Sequence, residues 1–565
     1  MKGGSLLLKP IFAAASAAAL LTSILTGCSK SAPGPGSAAG GSAHPWTQPG
    51  VLRFAEFLEP KTLVSELGSS SATADVDAFV FSYAVKYDDH ARPVPDALSE
   101  IPTVENGDVS KDGLTLKYKL RHNITWHDGA PLTCKDLRFT WQVIMNPHNN
   151  VNTTDGFNDI KDIDCSDPYV AVIHMKRLYA PYLQQLFSVN GNAPILPEHL
   201  LAKYNDAKGS LNTAPFNSAP IGSGPFRVVG WQRGSEIRME AYPNYFLGKP
   251  KLNEVIYKVM PDENTLETQL QTHEVDMVVR GTAINSQRYQ QLAADPNAGL
   301  TLDAPPTYTY THIDFNLKRP MFDRNVRVAL DYATNRSGII EKIAHGFATP
   351  AETDQSPLLS WAYTNDITHH PFDPAKARAL LDADGWKVGS DGIRVKNGER
   401  LSFNLSTPSE STYGKAIQTY VQQLWHDVGA EAVIKNAPSD TFFDNSPATG
   451  ILQGGHYDVA LFSWVAAADP DDSPLYTTKN FAPGGQNSLF WSNPKVDAAA
   501  QDALETLDQT RRKADYKIVQ QQMAEDVPTI VLYFWKTIYE YNDDLKGFTP
   551  SPVLSAFWNP QEYSI

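Results

Sequence analysis

Residues 124–133 read ITWHDGAPLT, and they carry the clearest local structural signal in the sequence. The Asp128-Gly129 pair predicts a tight reversal, because glycine adopts positive φ angles without a steric penalty. Trp126 stands just before the turn, where its ring can pack beside it. Thr133 is a suitable N-cap for the residues that follow. These residues therefore predict a hairpin that leads directly into a helix.

Regular elements of both types surround this hairpin. Residues 114–120, LTLKYKL, alternate apolar and polar side chains with the period of a half-buried strand. Further patterns predict strands over 51–57, 170–175 and 527–541, helices over 133–145, 325–333, 374–383 and 413–428, and either one long helix or two over 495–526. Strands and helices mix without strict alternation, which indicates an α/β or mixed α+β protein with several sheets.

The composition is that of a large, folded, acidic protein. The 565 residues are enough for about two to four domains. With 42% hydrophobic and 20% charged residues, the bulk of the chain is not expected to be disordered. A formal net charge of −15 argues against nucleic acid as a partner and against general binding to an anionic membrane, because the summed field repels polyanions.

The first 28 residues have the pattern of an export signal. An apolar run over 11–25 is shorter than the about 20 residues that a membrane-spanning helix needs. It ends at Leu25-Thr26-Gly27-Cys28, which resembles a bacterial lipobox. Either Cys28 receives a diacylglycerol, or it is incidental to an ordinary secretory signal. We expect the lipid, with a signal peptide over 1–28 and a flexible tether over 29–50. The protein would then be exported and anchored to the cell envelope, on the periplasmic side or the outer cell surface.

Two cysteines remain after Cys28. Cys134 and Cys165 would both lie in an oxidising compartment, so a disulfide between them is allowed. Two buried thiols are an equally good interpretation, because the sequence gives no Cα separation. The cysteines lack C-x-x-C spacing, so neither a zinc site nor a thioredoxin-like redox site is supported.

The sequence lacks the motifs of common catalytic sites. G-x-S-x-G, G-x-x-x-x-G-K-[ST] and H-E-x-x-H are all absent. A calcium-loop pattern that begins at Asp108 fails, because Lys119 occupies the place of the bidentate glutamate. His369 and His370 are adjacent, so on a strand they would point to opposite faces. We predict no enzyme, no metal site and no cofactor. A hydrolase that uses exposed carboxylates has only the number of acidic residues in its favour.

Several short motifs follow one another along the chain. They occupy residues 93–98 with 111–121, 124–139, 221–226, 244–250, 316–330 and 373–386. In this order they resemble the peptide/nickel-type extracellular solute-binding proteins of ABC importers, the oligopeptide- and dipeptide-binding family. Each motif alone is weak, but the shared order extends to Phe548 and makes the resemblance specific.

The resemblance implies a periplasmic-binding-protein-like fold of two lobes joined by a hinge. Lobe one would combine residues 51–305 with 527–565 and carry an extra subdomain at about 86–219. Lobe two would span residues 306–526. A ligand would bind in the cleft, and the lobes would close over it.

The implied function is that of the substrate-binding lipoprotein of an ABC import system. It would capture peptides or a similar small solute and deliver them to the ABC permease subunits in the membrane. One alternative is a peptide receptor or chaperone-like sensor on the same fold, without transport. Another is a binder of nickel, a nickel chelate or a different non-peptide solute.

The segment over 457–476, YDVALFSWVAAADPDDSPLY, resembles the family's cleft-lining strand and loop. In peptide-binding relatives, an Asp three residues after the Trp pairs with the ligand's α-ammonium. Counted from Trp464, that position is Ala467 here. Either Asp469 reaches the same place through a shifted loop, or the ammonium anchor is missing. Asp469 also suits a cap ahead of Pro470.

The resemblance gives further candidate ligand contacts. Trp464 is predicted to be a wall of the cleft. Tyr310 is a candidate on the strand that crosses between the lobes, and Glu59 and Ser69 are candidates in a loop after the first strand. Their alternatives are a packed strand for Tyr310 and a solvated loop for Glu59 and Ser69.

Overall fold

The computed structural model describes residues 43–565 apart from residues 57, 69, 261–262, 280–294, 296–297, 410, 444–446, 484 and 554, and the side chains of 263–264 and 439–440. The predicted export signal, Cys28, most of the predicted tether and Ser69 lie outside the described residues. His44–Ile565 form one compact unit. None of the helices in the described part of the chain has the length and apolar character that a bilayer crossing requires.

The end of the predicted tether is attached to the body. Thr47 Oγ1 donates a 2.7 Å hydrogen bond to Asp544 Oδ2, and the Gly50 N–H donates to the Ile565 carbonyl at 3.1 Å. A flexible tether up to residue 50 is therefore too long a prediction, because residues 44–50 make specific contacts with the C-terminal residues.

The first sheet has seven strands and combines the two ends of the chain. Its central strand pairs in parallel with both of its neighbours, Glu254–Val259 and Met277–Val278. The strands in order are Leu300–Asp303, Tyr539–Asn542, Met277–Val278, Val51–Glu56, Glu254–Val259, Glu236–Ala241 and Phe226–Gln232. We call the body around this sheet lobe one.

The second sheet has six strands, and we call the body around it lobe two. The strands in order are Ala348–Pro350, Thr529–Lys536, Pro306–Phe315, Val459–Val465, Ser402–Ser406 and Glu431–Ile434. The sequence placed residues 527–565 in lobe one, but Thr529–Lys536 pairs antiparallel with Pro306–Phe315 in the second sheet. The return to the first sheet therefore falls at 537–538 and not at 526–527.

The two segments that cross between the sheets lie side by side. One leads from Leu300–Asp303 into Pro306–Phe315, and the other leads from Thr529–Lys536 into Tyr539–Asn542. The Thr537 N–H donates a 3.0 Å hydrogen bond to the Pro305 carbonyl. A pair of short adjacent crossings is suited to act as a hinge, because few backbone torsions must change for the lobes to move.

Smaller sheets complete the architecture. One, within the predicted subdomain, has the order Thr115–Lys119, Val170–Met175, Ile160–Asp167. The others are Val85–Tyr87 with Pro93–Pro95, and Lys387–Val388 with Arg394–Lys396 and Glu399–Arg400. The mixture of helices and several sheets confirms the predicted fold class.

The hairpin over 124–133 forms as its sequence predicts. Gly129 has a φ of 92°, the Trp126 N–H donates to the Ala130 carbonyl at 2.8 Å, and Trp126 is fully buried. Asp136 caps the following helix, since its Oδ2 accepts from the Thr133 N–H at 2.8 Å. Cys134 is joined to Cys165 by a disulfide, with Cα atoms 5.5 Å apart.

Helices cover both lobes. Among the described residues they are Ser71–Val80, Cys134–Met145, Tyr182–Gln185, Glu198–Leu201, Glu263–Gln271, Arg324–Tyr332, Arg336–Lys342, Pro374–Ala383, Thr412–His426, Ser439–Phe442, Ser473–Tyr476, Pro494–Leu504 and Gln509–Asp526. The stretch over 495–526, which allowed one helix or two, is broken at residues 505–508. Asp508 caps the second helix, because its Oδ1 accepts from the Thr510 N–H at 2.8 Å.

Each sheet packs on its own apolar core. The first core surrounds Leu52 and Phe54 of lobe one, and the second surrounds Ile313, Leu461 and Ile530 of lobe two. A few lobe-two side chains are buried in the first core, namely Tyr308, Leu359, Ala362, Ala468, Ala503 and Tyr516. These residues mark where the two lobes touch.

Candidate functional site

The contact between the lobes follows the segment that comes after Trp464. Within lobe two the Ala466 N–H donates to the Tyr308 carbonyl at 3.0 Å, and the side chains of Tyr308 and Ala468 are buried in the core of lobe one. On the other side, the Ala180 N–H of lobe one donates to the Leu504 carbonyl of lobe two at 3.0 Å. Residues 464–468 therefore run along the cleft between the lobes.

A cavity of about 360 Å³ lies between the lobes, and we call it the outer cavity. Lobe one contributes Asp155, Asp159 and Arg177, and lobe two contributes Asp471, Lys479 and Glu505. Arg177 Nε donates to Asp159 Oδ1 at 2.7 Å. Burial raises the pKa of Asp471, and the charge of Asp155 raises it further. The walls thus carry more acidic than basic groups and favour a solute that brings positive charge or hydrogen-bond donors.

A second cavity of about 190 Å³ lies beside the second sheet, and we call it the inner cavity; its described lining residues all belong to lobe two. Tyr310, His312, Phe462 and Trp464 line it, and Gln486 lines both cavities. The two cavities share Gln486 as a lining residue, and we take them together as the candidate site. A larger cavity of about 440 Å³ in lobe two shares no described lining residue with the outer cavity, so we leave it out of the candidate site.

The structure brings Trp464 and Tyr310 together. They are direct cross-strand partners in the second sheet. Tyr310 is fully buried, and its hydroxyl lies 3.1 Å from that of Tyr476. Burial raises the pKa of Tyr310, with Asp354 adding to the effect. Both residues line the inner cavity, and a direct contact with a ligand stays a prediction.

Asp469 has a protein partner in the cleft. Its Oδ2 accepts from Arg512 Nη1 at 3.2 Å, and Nη2 of the same guanidinium donates to Oδ1. Arg512 also donates from Nε to the Ala503 carbonyl at 2.9 Å. The carboxylate therefore faces a buried arginine and does not cap a helix at Pro470, where the sequence allowed a cap.

Glu59 and Ala467 are not among the residues that line the two cavities. Glu59 accepts a 2.9 Å hydrogen bond from the Gly234 N–H in lobe one, as part of a surface turn. Ala467 is half-buried and lies two residues beyond the strand that carries Trp464. Ser69 lies outside the described residues, so its prediction is untested.

Two polar residues of the site were missed by sequence reasoning. His312 and Asp314 lie two apart on the strand Pro306–Phe315, and His312 Nδ1 lies 2.7 Å from Asp314 Oδ1. Both side chains are buried and line the inner cavity. The spacing i, i+2 on a strand places two side chains on one face, so the sequence THID over 311–314 contained the necessary signal.

Buried acids lie behind the inner cavity. Gln355 Nε2 donates to Asp472 Oδ1 at 2.8 Å, and Asp354 lies beside Asp472. Burial raises the pKa of Asp354 to about 6 and raises that of Asp472 well above its usual value. Asp354 raises the pKa of both Tyr310 and Tyr476.

One group among the described residues has the spacing of a metal site. His44 Nε2 lies 2.7 Å from Asp543 Oδ1, and Asp544 is adjacent. All three are half-buried, and none of them lines the outer or the inner cavity. Ordinary hydrogen bonds account for their arrangement, so we assign no ion to them.

Known proteins resemble this chain over nearly its whole length. A family model described as "Bacterial extracellular solute-binding proteins, family 5 Middle" matches residues 93–486. The oligopeptide-binding protein AppA of Bacillus subtilis is 26% identical over 545 residues, which is 95% of this chain and 96% of that protein. The glutathione-binding protein GsiB of Pectobacterium atrosepticum is 28% identical over 454 residues, or 79% of this chain and 82% of that one.

Solved structures show the same architecture. NikZ from Campylobacter jejuni in complex with Ni(L-His) superimposes with a TM-score of 0.76 at 26% identity, covering 92% of this chain and 100% of that one. AppA from Bacillus subtilis in complex with a nonapeptide gives a TM-score of 0.74 at 26% identity, covering 91% and 99%.

Proposed function

Because the chain belongs to the family 5 bacterial extracellular solute-binding proteins, we propose that it captures a peptide or a similar small solute between its lobes and delivers it to an ABC permease. The family binds solutes and performs no covalent chemistry, so the chain is not an enzyme. The observation that carries the proposal is the outer cavity, whose walls come from both lobes. A ligand there would touch both lobes at once and so favour the closed state.

The capture site has two parts with different chemistry. The outer cavity has an acidic wall, and the inner cavity has aromatic walls with a few polar groups. A peptide suits this arrangement, because its backbone offers hydrogen bonds along the cleft while one side chain enters the inner cavity. Both oligopeptide-binding and glutathione-binding proteins are among the relatives.

A compact non-peptide solute is the second candidate. Ala467 carries no charge, and Asp469 is already paired with Arg512. Those two residues therefore offer no free counter-ion for a peptide's α-ammonium, and a buried ammonium without one costs several kcal/mol. NikZ, a relative of the same fold, holds Ni(L-His). A receptor or chaperone-like sensor without transport is a further alternative on the same site.

Anchoring at Cys28 belongs to the same proposal. A lipid at that cysteine would keep the folded body close to the permease, and the residues that follow would act as a tether. Labelling growing cells with a radioactive fatty acid tests this step, and the Cys28→Ala variant should lose the label. Label that stays on the variant would contradict anchoring at this residue.

The solute itself is identified by native mass spectrometry of the protein without residues 1–28, as purified. A closed binding protein keeps tight ligands through purification, because they dissociate slowly. A series of added masses that sequence as peptides supports peptide capture. A single added mass of another chemistry supports the second candidate. A solute-free protein that also fails to respond to peptide, sugar and metal-chelate panels in thermal-shift assays would contradict the proposal.

A further inference from the structure

The inner cavity contains a histidine with one ring nitrogen fixed and the other free. Nδ1 of His312 lies 2.7 Å from Asp314 Oδ1 and 3.3 Å from Thr529 Oγ1. Nε2 is buried and has no hydrogen-bond partner among the described residues. His312 is only 5% exposed, so bulk water does not supply the missing partner.

Its surroundings hold the ring in place. The ring centroid lies 4.3 Å from that of Phe462 and 5.0 Å from that of Tyr310. With Asp314 fixing Nδ1 and aromatic rings on its flanks, the imidazole is held in one orientation. A carboxylate at Nδ1 keeps the proton of the neutral ring on that nitrogen, so Nε2 presents a lone pair.

A second unpartnered acceptor lines the same cavity. Oε1 of Gln453 is buried without a hydrogen-bond partner in the described part of the chain. A buried acceptor left unpaired costs about 1–3 kcal/mol, so two of them in one cavity point to a ligand that supplies donors.

The charged groups around the inner cavity are negative, which suits a ligand group that carries positive charge as well as hydrogen-bond donors. Asp314 is part of the lining, and the buried acid Asp354 acts on Tyr310 in the same wall. The lining residues in the described part of the chain include no lysine or arginine. The rings of Phe462 and Trp464 add their negative faces, which attract cations.

We propose that the inner cavity is a subsite for a positively charged, hydrogen-bond-donating group on an apolar stem, held by His312 Nε2 and Gln453 Oε1. An ammonium or guanidinium group meets this description. The volume of about 190 Å³ suits one side chain and not a whole peptide. This inference rests on the proposed capture of a solute in the cleft, and it names the class of group that the cleft selects.

The cavity is tested directly with three small probes of equal length: butylamine, 1-butanol and butyrate. Ligand-observed NMR titrations at pH 7.5 should show butylamine binding at least tenfold more tightly than the other two. Gln453→Leu should weaken butylamine binding at least fivefold, and Gln453→Glu should strengthen it. Gln423→Leu, the same change at an exposed site on the helix Thr412–His426, should have no effect.

His312→Phe should also abolish the preference for the amine, and the Gln453 variants provide the answer if that protein does not fold. Equal binding of the three probes, a preference for butyrate, or an unaltered preference in Gln453→Leu would overturn the inference.

A second arm separates this inference from the proposed function. The protein is equilibrated with two tripeptide pools that differ only in lysine or norleucine at one position. Enrichment of the lysine pool supports both ideas. Retention of peptides without enrichment, together with no amine preference, overturns the subsite and leaves peptide capture standing. Amine preference without any peptide retention overturns peptide capture and leaves the subsite standing.

Discussion

Arg512 holds the carboxylate of Asp469 with two of its terminal nitrogens, one of them 3.2 Å from Oδ2. The arginine side chain is 7% exposed, and the pair lies where the lobes meet. The acid that seemed able to replace an ammonium anchor therefore already has a counter-ion. The pair joins the helix Gln509–Asp526 to the cleft segment and keeps that segment in place for its contacts with lobe one.

Replacing Asp469 tests this structural role. Asp469→Asn leaves the buried guanidinium without its counter-ion, so we expect a stability loss of roughly 3 kcal/mol, seen as a lower midpoint of thermal unfolding. The control is Asp391→Asn, which removes the partner of Arg400 in an exposed pair and should cost less than about 1 kcal/mol. An unchanged midpoint combined with lost solute would instead make Asp469 a ligand contact.

Asp77 gives the stability a predictable dependence on pH. Its Oδ2 accepts from the Ser65 N–H at 2.8 Å, and burial raises its pKa to about 7. Between pH 4 and 7 the folded protein therefore keeps a proton that the unfolded chain releases, so the stabilisation present at low pH is lost as the pH rises through 7. We expect the wild-type unfolding midpoint to fall between pH 5 and 8.

The variant Asp77→Asn removes this titration. Its midpoint should fall less over the same pH range, with a difference on the order of 2 kcal/mol between the two pH values. Glu399→Gln, a change at an exposed acid, should keep the wild-type slope. Parallel slopes for wild type and Asp77→Asn would show that Asp77 is ionised in the folded protein.

Much of the local structure could be predicted from the sequence. The hairpin at Trp126, the strand over 115–119 and the N-cap at Thr133 all depend on neighbouring residues, so short patterns were sufficient. Sheet membership depends on distant residues. Val527–Tyr541 reads as one apolar strand, and nothing local shows that its two halves belong to different sheets.

The candidate site also has features that the sequence predicts and features that it does not. Trp464 and Tyr310 were predicted at the cleft, and they are cross-strand partners that line one cavity. The partner of Asp469 is 43 residues away on another helix, so no spacing rule could have identified it. The pairing of His312 with Asp314 follows from strand alternation. The pair can contact a ligand only because it lines the inner cavity, and that cavity is formed by residues distant in sequence.

The disulfide should stabilise the subdomain of lobe one. Cys134 begins a helix and Cys165 lies on the strand Ile160–Asp167, and the two are 31 positions apart in sequence. Closing a loop of that size is worth roughly 3–4 kcal/mol in the unfolded-state entropy model. The double variant Cys134→Ala/Cys165→Ala should show a lower unfolding midpoint and faster amide exchange over 160–167, while Ser166→Ala should not. Equal amide exchange rates over 160–167 in wild type and the double variant would show that the disulfide does not stabilise the subdomain.

The central claim is that a solute is held in the cleft beside Trp464. The most direct test compares native mass spectra of wild type, Trp464→Ala and Trp558→Ala, each without residues 1–28 and purified in parallel. Trp558 is a half-exposed tryptophan outside both cavities, so its variant is the matched control. The account predicts solute on wild type and Trp558→Ala and at least a tenfold lower occupancy on Trp464→Ala. Full occupancy on Trp464→Ala would place the solute elsewhere and contradict the account.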